Sequence, residues 1–329
     1  MTTQAQETLL DSSLNLRATK WVDVNAVAQL IYDVCEADGD TTVAVTPEEL
    51  KSQWQSLGFN PETDTCVVET RDGHIVGYGE FINEKGHAHL GSDVYVHHQY
   101  DREIILAALM SFVEDRARAE MKLAAPDVRV FIRSTMDGKD EAAKKLHKAT
   151  GYEPVRFNWR MEIKLQEAPP TPIWPEGIEL RPFVRAEYSL IVMSAVNEAF
   201  RDHWGSHDTS FEDWERHRFG QADFDPSLWM IAWDGTEVAG FSLNRYRMGI
   251  GWVSTLGVRR PWRKKGLGLA LLQHSFGVFY WRGMKTIGLG VDASNPTGAT
   301  RLYLGAGMYV ASEFITYDKV LRTGSDLGE

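Results

Sequence analysis

The chain has 329 residues, which at roughly 100–200 residues per domain points to two or three domains. Hydrophobic residues make up 43% and charged residues 25%, an ordinary globular composition. Lys plus Arg is 35 against 46 for Asp plus Glu, a net charge of −11, so the basic footprint of a nucleic-acid binder is lacking overall.

No apolar run approaches the ~20 residues of a membrane span. The opening MTTQAQETLL has neither the basic nor the apolar region of a signal peptide. Two cysteines, Cys35 and Cys66, are too few for a disulfide framework or a Cys-rich zinc site, and they suit a reducing, cytoplasmic setting. No nucleic-acid partner, membrane association or metal is expected.

In chain order, residues 26–37 have helical spacing. Thr46-Pro47-Glu48-Glu49 combines a capping residue, Pro at the first helical position and Glu three residues after the cap. Asp72-Gly73 lies between alternating apolar stretches, the signal of a hairpin. Residues 166–177, QEAPPTPIWPEG, hold four of the twelve prolines and read as a linker. Beyond it the first half's landmarks return 156 to 164 residues later: Leu16-Arg17 as Leu180-Arg181, the Asp72-Gly73 hairpin as Asp234-Gly235, and Gly151 as Gly307. Ordered landmarks at nearly constant spacing indicate a tandem duplication. The boundaries read from this are 1–165, a linker at 166–177, and 178–329. Ser210 with Asp213 opens a helix in the second half, and strands at 249–258 and 284–291 bracket a helix at 268–282. Each half is expected to be an α/β (α+β) domain with a mixed sheet.

Residues 256–276, LGVRRPWRKKGLGLALLQHSF, concentrate the chemistry. An apolar strand ends at Val258, five of the seven residues from Arg259 to Lys265 are basic, and Gly266-Leu267-Gly268 leads into an amphipathic helix. Glycines at a strand-to-helix turn let backbone amides face an anion, and the helix dipole adds to the attraction. This predicts a diphosphate cradle with Lys and Arg around it. Leu271 stands where a dinucleotide fingerprint needs its third glycine, and no Gly-Lys-Ser/Thr follows. A second cluster, Asn295-Pro296-Thr297-Gly298, reads as the cap of another helix, which carries Arg301-Leu302-Tyr303 and ends before Gly307-Met308.

Arg263…Gly266…Gly268 followed by Asn295…Gly298…Leu302-Tyr303…Gly307-Met308 resembles the two motifs of the GNAT acetyltransferases. The tandem plan resembles the mycothiol synthase group within that family, as does VNEAFRDHWG at 196–205. A departure from that group is that residues 249–252 carry no carboxylate where it places one for its cysteinyl substrate. The resemblance implies two tandem domains, each a central mixed, mostly antiparallel sheet flanked by helices.

The resemblance also implies acetyl-CoA as co-substrate and a small-molecule amine as acceptor, which attacks directly in a ternary complex. Backbone amides of Arg263, Lys264, Lys265, Gly266, Leu267, Gly268 and Leu269 would wrap the pyrophosphate. Backbone groups of Leu256 and Val258 would pair with the pantetheine arm, the Val258 amide polarising the thioester carbonyl. Asn295 would bond the pantetheine, with Gly298 in the same motif, and Tyr303 would protonate the departing thiolate. The general base is open among Asp292, Glu198, Asp202 and His203. A catalytically silent acyl-CoA-binding or regulatory protein is the alternative.

The first half has no glycine at the matching place. Residues 97–103 read His-His-Gln-Tyr-Asp-Arg-Glu, and His147 stands where Tyr303 does. Residues 1–165 are therefore expected to be a degenerate copy and 178–329 the catalytic domain.

Overall fold

The computed structural model describes residues 10, 13–201, 208–220, 224–295 and 297–327. Its contacts form two units, one running to Phe157 and including the stretch from Phe314, the other being Asn158–Glu313. Among the described residues no helix is long and apolar enough to cross a membrane.

The two halves run through matching elements. The first has β1 (Leu14–Ala18), α1 (Val24–Ala37), α2 (Pro47–Trp54), α3 (Pro61–Asp64), β2 (Thr65–Thr70), β3 (Ile75–Lys85), β4 (His89–Val96), α4 (Arg102–Glu120), β5 (Val130–Asp137), α5 (Glu141–Ala149) and β6 (Glu153–Lys164). The second has β7 (Ile178–Pro182), α6 (Arg185–Phe200), α7 (Phe211–Phe219), β8 (Trp229–Asp234), β9 (Glu237–Arg247), β10 (Ile250–Val258), α8 (Leu267–Trp281), β11 (Thr286–Asp292), α9 (Ala299–Gly305) and β12 (Tyr309–Arg322). The duplication read from sequence landmarks is thus visible in structure.

Local signals explain several boundaries. The Thr46 hydroxyl accepts from Glu49 N–H at 3.1 Å while Thr46 N–H donates back to the Glu49 carboxylate at 2.8 Å, a closed capping box. Ser210 caps α7 by accepting from Asp213 N–H. After α9, Gly307 adopts φ +91°, and Met308 N–H reaches back to the Tyr303 carbonyl at 3.0 Å, a Schellman closure.

In the first unit β1, β2, β3 and β4 pair antiparallel in order, and β4 runs parallel to β5. The second unit repeats this with β7 to β11. The sixth strand of each comes from the other repeat: Phe314–Arg322 of β12 pairs with β5, and Asn158–Lys164 of β6 pairs with β11. A sequence division at 166–177 assigns β6 to the first half and β12 to the second, whereas pairing sorts them the other way. Apolar burial follows the pairing. Ile315 and Tyr317 join Leu90, Ile105 and Ile132 in the first core, and Met161 joins Phe276, Phe279 and Leu289 in the second. The proline-rich segment packs on its own unit, with Pro169, Pro170 and Pro172 over α8 in a cavity of about 990 Å³ that holds none of the motif residues.

The first core also buries charge. Glu80 accepts from Tyr78 O–H at 2.6 Å and from Gln53, and it faces Asp93 across the β3–β4 ladder. Burial, with the neighbouring carboxylate adding, pushes Glu80 up to about 7; burial raises Asp93 to about 6. The native state therefore holds protons that the unfolded chain, with carboxyl values near 4, gives up. The contribution of this pair to stability is expected to fall as pH rises from ~4 through ~7 and to level off above that. Glu80→Gln should flatten this decline between pH 5 and 8 in urea titrations. Equal pH slopes for variant and parent would show that Glu80 is ionised as in water.

Candidate active site

β10 and β11 pair only at Gly251–Ile287 and Trp252–Gly288, then part. An irregularity between Val253 and Thr255 leaves Ser254 as an extra residue in β10, bending the strand where it separates. In the first unit β4 and β5 remain paired over four positions, from His89 to Ser92. Arg259 N–H still bonds back to Ala239, toward β9, at 3.0 Å. By strand alternation the backbone groups of Leu256 and Val258 face the opposite, open edge.

A cavity of about 750 Å³ fills the opening. The α8 N-terminus forms one wall. Gly266 is its N-cap in the left-handed region at φ +84°, with no side-chain cap. A Cβ there would meet no atom, so the backbone conformation is what demands glycine. Lys264 also has positive φ, +63°. The first intrahelical bond runs from Ala270 N–H to the Gly266 carbonyl at 3.1 Å. The amides of Leu267, Gly268 and Leu269 precede it and lack intrahelical acceptors, as first-turn amides do. They line the cavity with the helix dipole behind them, which suits an anion.

Leu256, Val258, Arg263, Lys264, Gly266, Leu267, Gly268, Leu269, Asn295, Gly298 and Tyr303 all line this cavity, whereas Lys265 does not. The Arg263 side chain is a brace rather than outer charge. Its Nε donates to the Val258 carbonyl and its Nη2 to the Ala199 carbonyl, each at 3.0 Å. This leaves the Val258 N–H, not its carbonyl, for a ligand.

The second motif departs from its expected local form. Asn295 does not cap a helix. Its Oδ1 accepts from Thr297 N–H at 2.9 Å in a local turn, and Gly298, at φ +78°, is the N-cap of a helix that starts at Ala299. Pro296, expected at the first helical position, lies outside the described residues. Tyr303 projects from α9 into the second core and is 7% exposed. Burial pushes its phenol up to about 12, so it remains protonated at neutral pH.

Of the general-base candidates, Glu198 is held by Arg259 at 2.7 Å, and Asp292 accepts from Ser294 N–H at 2.7 Å. Asp202 and His203 lie outside the described residues. Sequence reasoning did not single out Ser254 and Thr255 at the bulge, nor Arg218, Arg245 and Trp252 beside it. A strand bulge has no sequence signature of its own, and these side chains come from three separated elements.

The first unit closes the matching place with its own side chains. Asp101 caps α4 by accepting from Ile104 N–H at 3.2 Å. Arg102 donates to the Val96 carbonyl at 2.9 Å and pairs with Asp140. Asp140 caps α5 by accepting from Ala143 N–H. His147 bonds the Ala143 carbonyl through Nδ1 and packs between Tyr152 and Tyr317. His97 and His98 stack at 4.5 Å, and among the described residues no three His, Cys, Asp or Glu side chains converge on a metal position.

An amide cradle at a splayed strand pair, with a protonated phenol in the same cavity, defines an acyltransferase site. The chain belongs to the GCN5-related N-acetyltransferase family. The profile of the acetyltransferase (GNAT) family matches residues 192–308. A GCN5-related N-acetyltransferase from Sphaerobacter thermophilus is 35% identical, with a TM-score of 0.81 over 97% of this chain and 99% of that one. Mycothiol acetyltransferase of Catenulispora acidiphila is 26% identical over 92% of this chain and 97% of its own. A tandem GNAT protein from the clavulanic acid biosynthesis pathway shares the fold at 16% identity, with a TM-score of 0.68 over 95% of this chain and 100% of that one.

Gly266→Val tests the cradle. A β-branched residue is strained at positive φ, so the turn must shift and the first-turn amides turn with it. The dissociation constant for acetyl-CoA is expected to rise at least about tenfold, the equivalent of about 1.4 kcal/mol. Calorimetry reads it directly, and an unchanged constant would remove the cradle from coenzyme binding.

Proposed function

We propose that the protein transfers the acetyl group of acetyl-CoA to the amine of a small-molecule acceptor by direct attack in a ternary complex. The second unit, Asn158–Glu313, carries the reaction, and the first is a copy that no longer binds coenzyme. Tyr303 is the observation that supports this most strongly, as a buried, neutral phenol in the same cavity as the free helix N-terminus and the open strand edge.

The residues divide the work as follows. Amides of Leu267, Gly268 and Leu269 hold the pyrophosphate, with Lys264 beside them. Leu256 and Val258 receive the pantetheine arm as a strand-like neighbour, and Asn295 and Gly298 border it. The amine lone pair attacks the thioester carbonyl carbon, and the Val258 N–H stabilises the developing oxyanion. As the C–S bond breaks, the thiolate takes the Tyr303 proton. The thiolate of a thiol near pKa 8.5 is a weaker base than a phenolate, so the transfer relies on the proximity of the Tyr303 hydroxyl to the departing sulfur. The nitrogen loses its proton to solvent, which then re-protonates the tyrosine. Both cysteines are buried in the first unit and neither lines this cavity, so the reaction is written without a covalent acetyl-enzyme. The small-molecule acceptor class is supported by relatives that carry the name mycothiol acetyltransferase.

Tyr303→Phe keeps the ring and removes the hydroxyl. Turnover should fall about 10²–10⁴-fold, the usual worth of a positioned acid, with coenzyme affinity unchanged. The loss should shrink for acyl donors with better leaving groups. Full activity of the variant under conditions where chemistry limits the rate would reduce Tyr303 to a packing residue.

A further inference from the structure

Ser254 lines a second cavity as well as the coenzyme cavity, and this second one has a different character. Its volume is about 450 Å³, and Trp214, Trp252, Arg218, Arg245 and Asp213 line it. Arg218 comes from α7 and Arg245 from β9, so two cationic side chains from separate elements meet in one pocket. Arg218 donates to the Thr255 hydroxyl at 3.1 Å and lies over the Trp214 ring at 5.1 Å. Thr255 in turn lines the coenzyme cavity, so this guanidinium is one hydrogen bond from it.

Among the described residues, no carboxylate pairs with Arg218. Asp213 faces the same space, but its oxygens serve Ser210 and Arg216 at 2.7 and 3.1 Å. Burial, and then the nearby Arg245 charge, pull the Arg218 guanidinium down from its ordinary value. Trp214 is 2% exposed, and its indole N–H has no partner among the described residues. A half-buried guanidinium with no carboxylate partner among the described residues gains from an anion that joins it.

We propose that this pocket is the acceptor pocket, and that the acceptor carries an anionic group, carboxylate or phosphate ester, held by Arg218 and Arg245. Guanidinium forks match such oxyanions with paired hydrogen bonds. The rest of the acceptor lies between Trp214 and Trp252 and presents its amine across the Ser254 bulge. From Thr255 to Val258 a strand advances about 10 Å, so the acceptor's amine and anion are separated by a distance on that order. The assignment rests on the acetyl-transfer reading for its amine, but the anion site stands on its own residues.

Binding without turnover separates the two. Tryptophan fluorescence of the full chain is titrated with 3-phenylpropionate, 3-phenylpropyl phosphate and the neutral 3-phenylpropionamide. One or both anions should bind at least about tenfold more tightly than the amide, and which one does distinguishes carboxylate from phosphate. In Arg218→Met, checked for unchanged thermal unfolding, that preference should vanish while the amide is unaffected. Equal binding of all three probes by the parent chain would overturn the proposal without recourse to any variant. So would a preference that survives in Arg218→Met. If anions bind selectively but no amine is acetylated, the acetyl-transfer reading fails and the anion site remains.

Discussion

The parting of β10 from β11 after Trp252 is the constraint on which the site depends. A sheet normally satisfies every backbone donor and acceptor of an inner strand. Here the edge of β10 at Leu256 and Val258 is bared in the middle of the unit, between α8 and α9. The Ser254 bulge turns the strand away, and Arg263 fixes the new course by tying the Val258 carbonyl to the end of α6. What remains is an unpaired strand edge beside an uncapped helix N-terminus. An extended amide-containing arm that ends in a diphosphate complements both features at once.

The first unit shows what the same plan becomes when the opening is filled. Its parallel pair stays zipped longer, and at the helix start Asp101 and Glu103 stand where the second unit has Gly266 and Gly268, with Arg102 between them bonded to the Val96 carbonyl. The helix amide that would face a phosphate donates to a carboxylate of its own chain. Like-charge repulsion and an occupied donor both oppose a diphosphate there. The unit nonetheless remains well built, because its core draws Ile315 and Tyr317 from the last strand of the chain. The exchange of β6 and β12 makes each repeat dependent on the other for its sixth strand.

Much of this was legible in the sequence, and the legible parts share a cause. The cradle rests on Gly266 and its basic neighbours, the hairpins on Asp-Gly pairs, and α2 on Thr46 and Glu49; each is a local rule that few residues can satisfy. The strand exchange was not legible, since β6 and β12 are similar strands and pairing is decided by registers far away in sequence. Asn295 was misjudged for a related reason: a side chain that can cap a helix can equally close a turn, and positive φ at Gly298 moves the helix start. Arg218 and Arg245 belong to no motif, and only the fold brings them together.

The two copies of one plan differ in their helix starts, open in the second and filled by its own side chains in the first. Calorimetric titration of the full chain with acetyl-CoA should therefore give one tight site per chain. Two sites of equal affinity would contradict it, because Asp101 and Arg102 would then have failed to close the first.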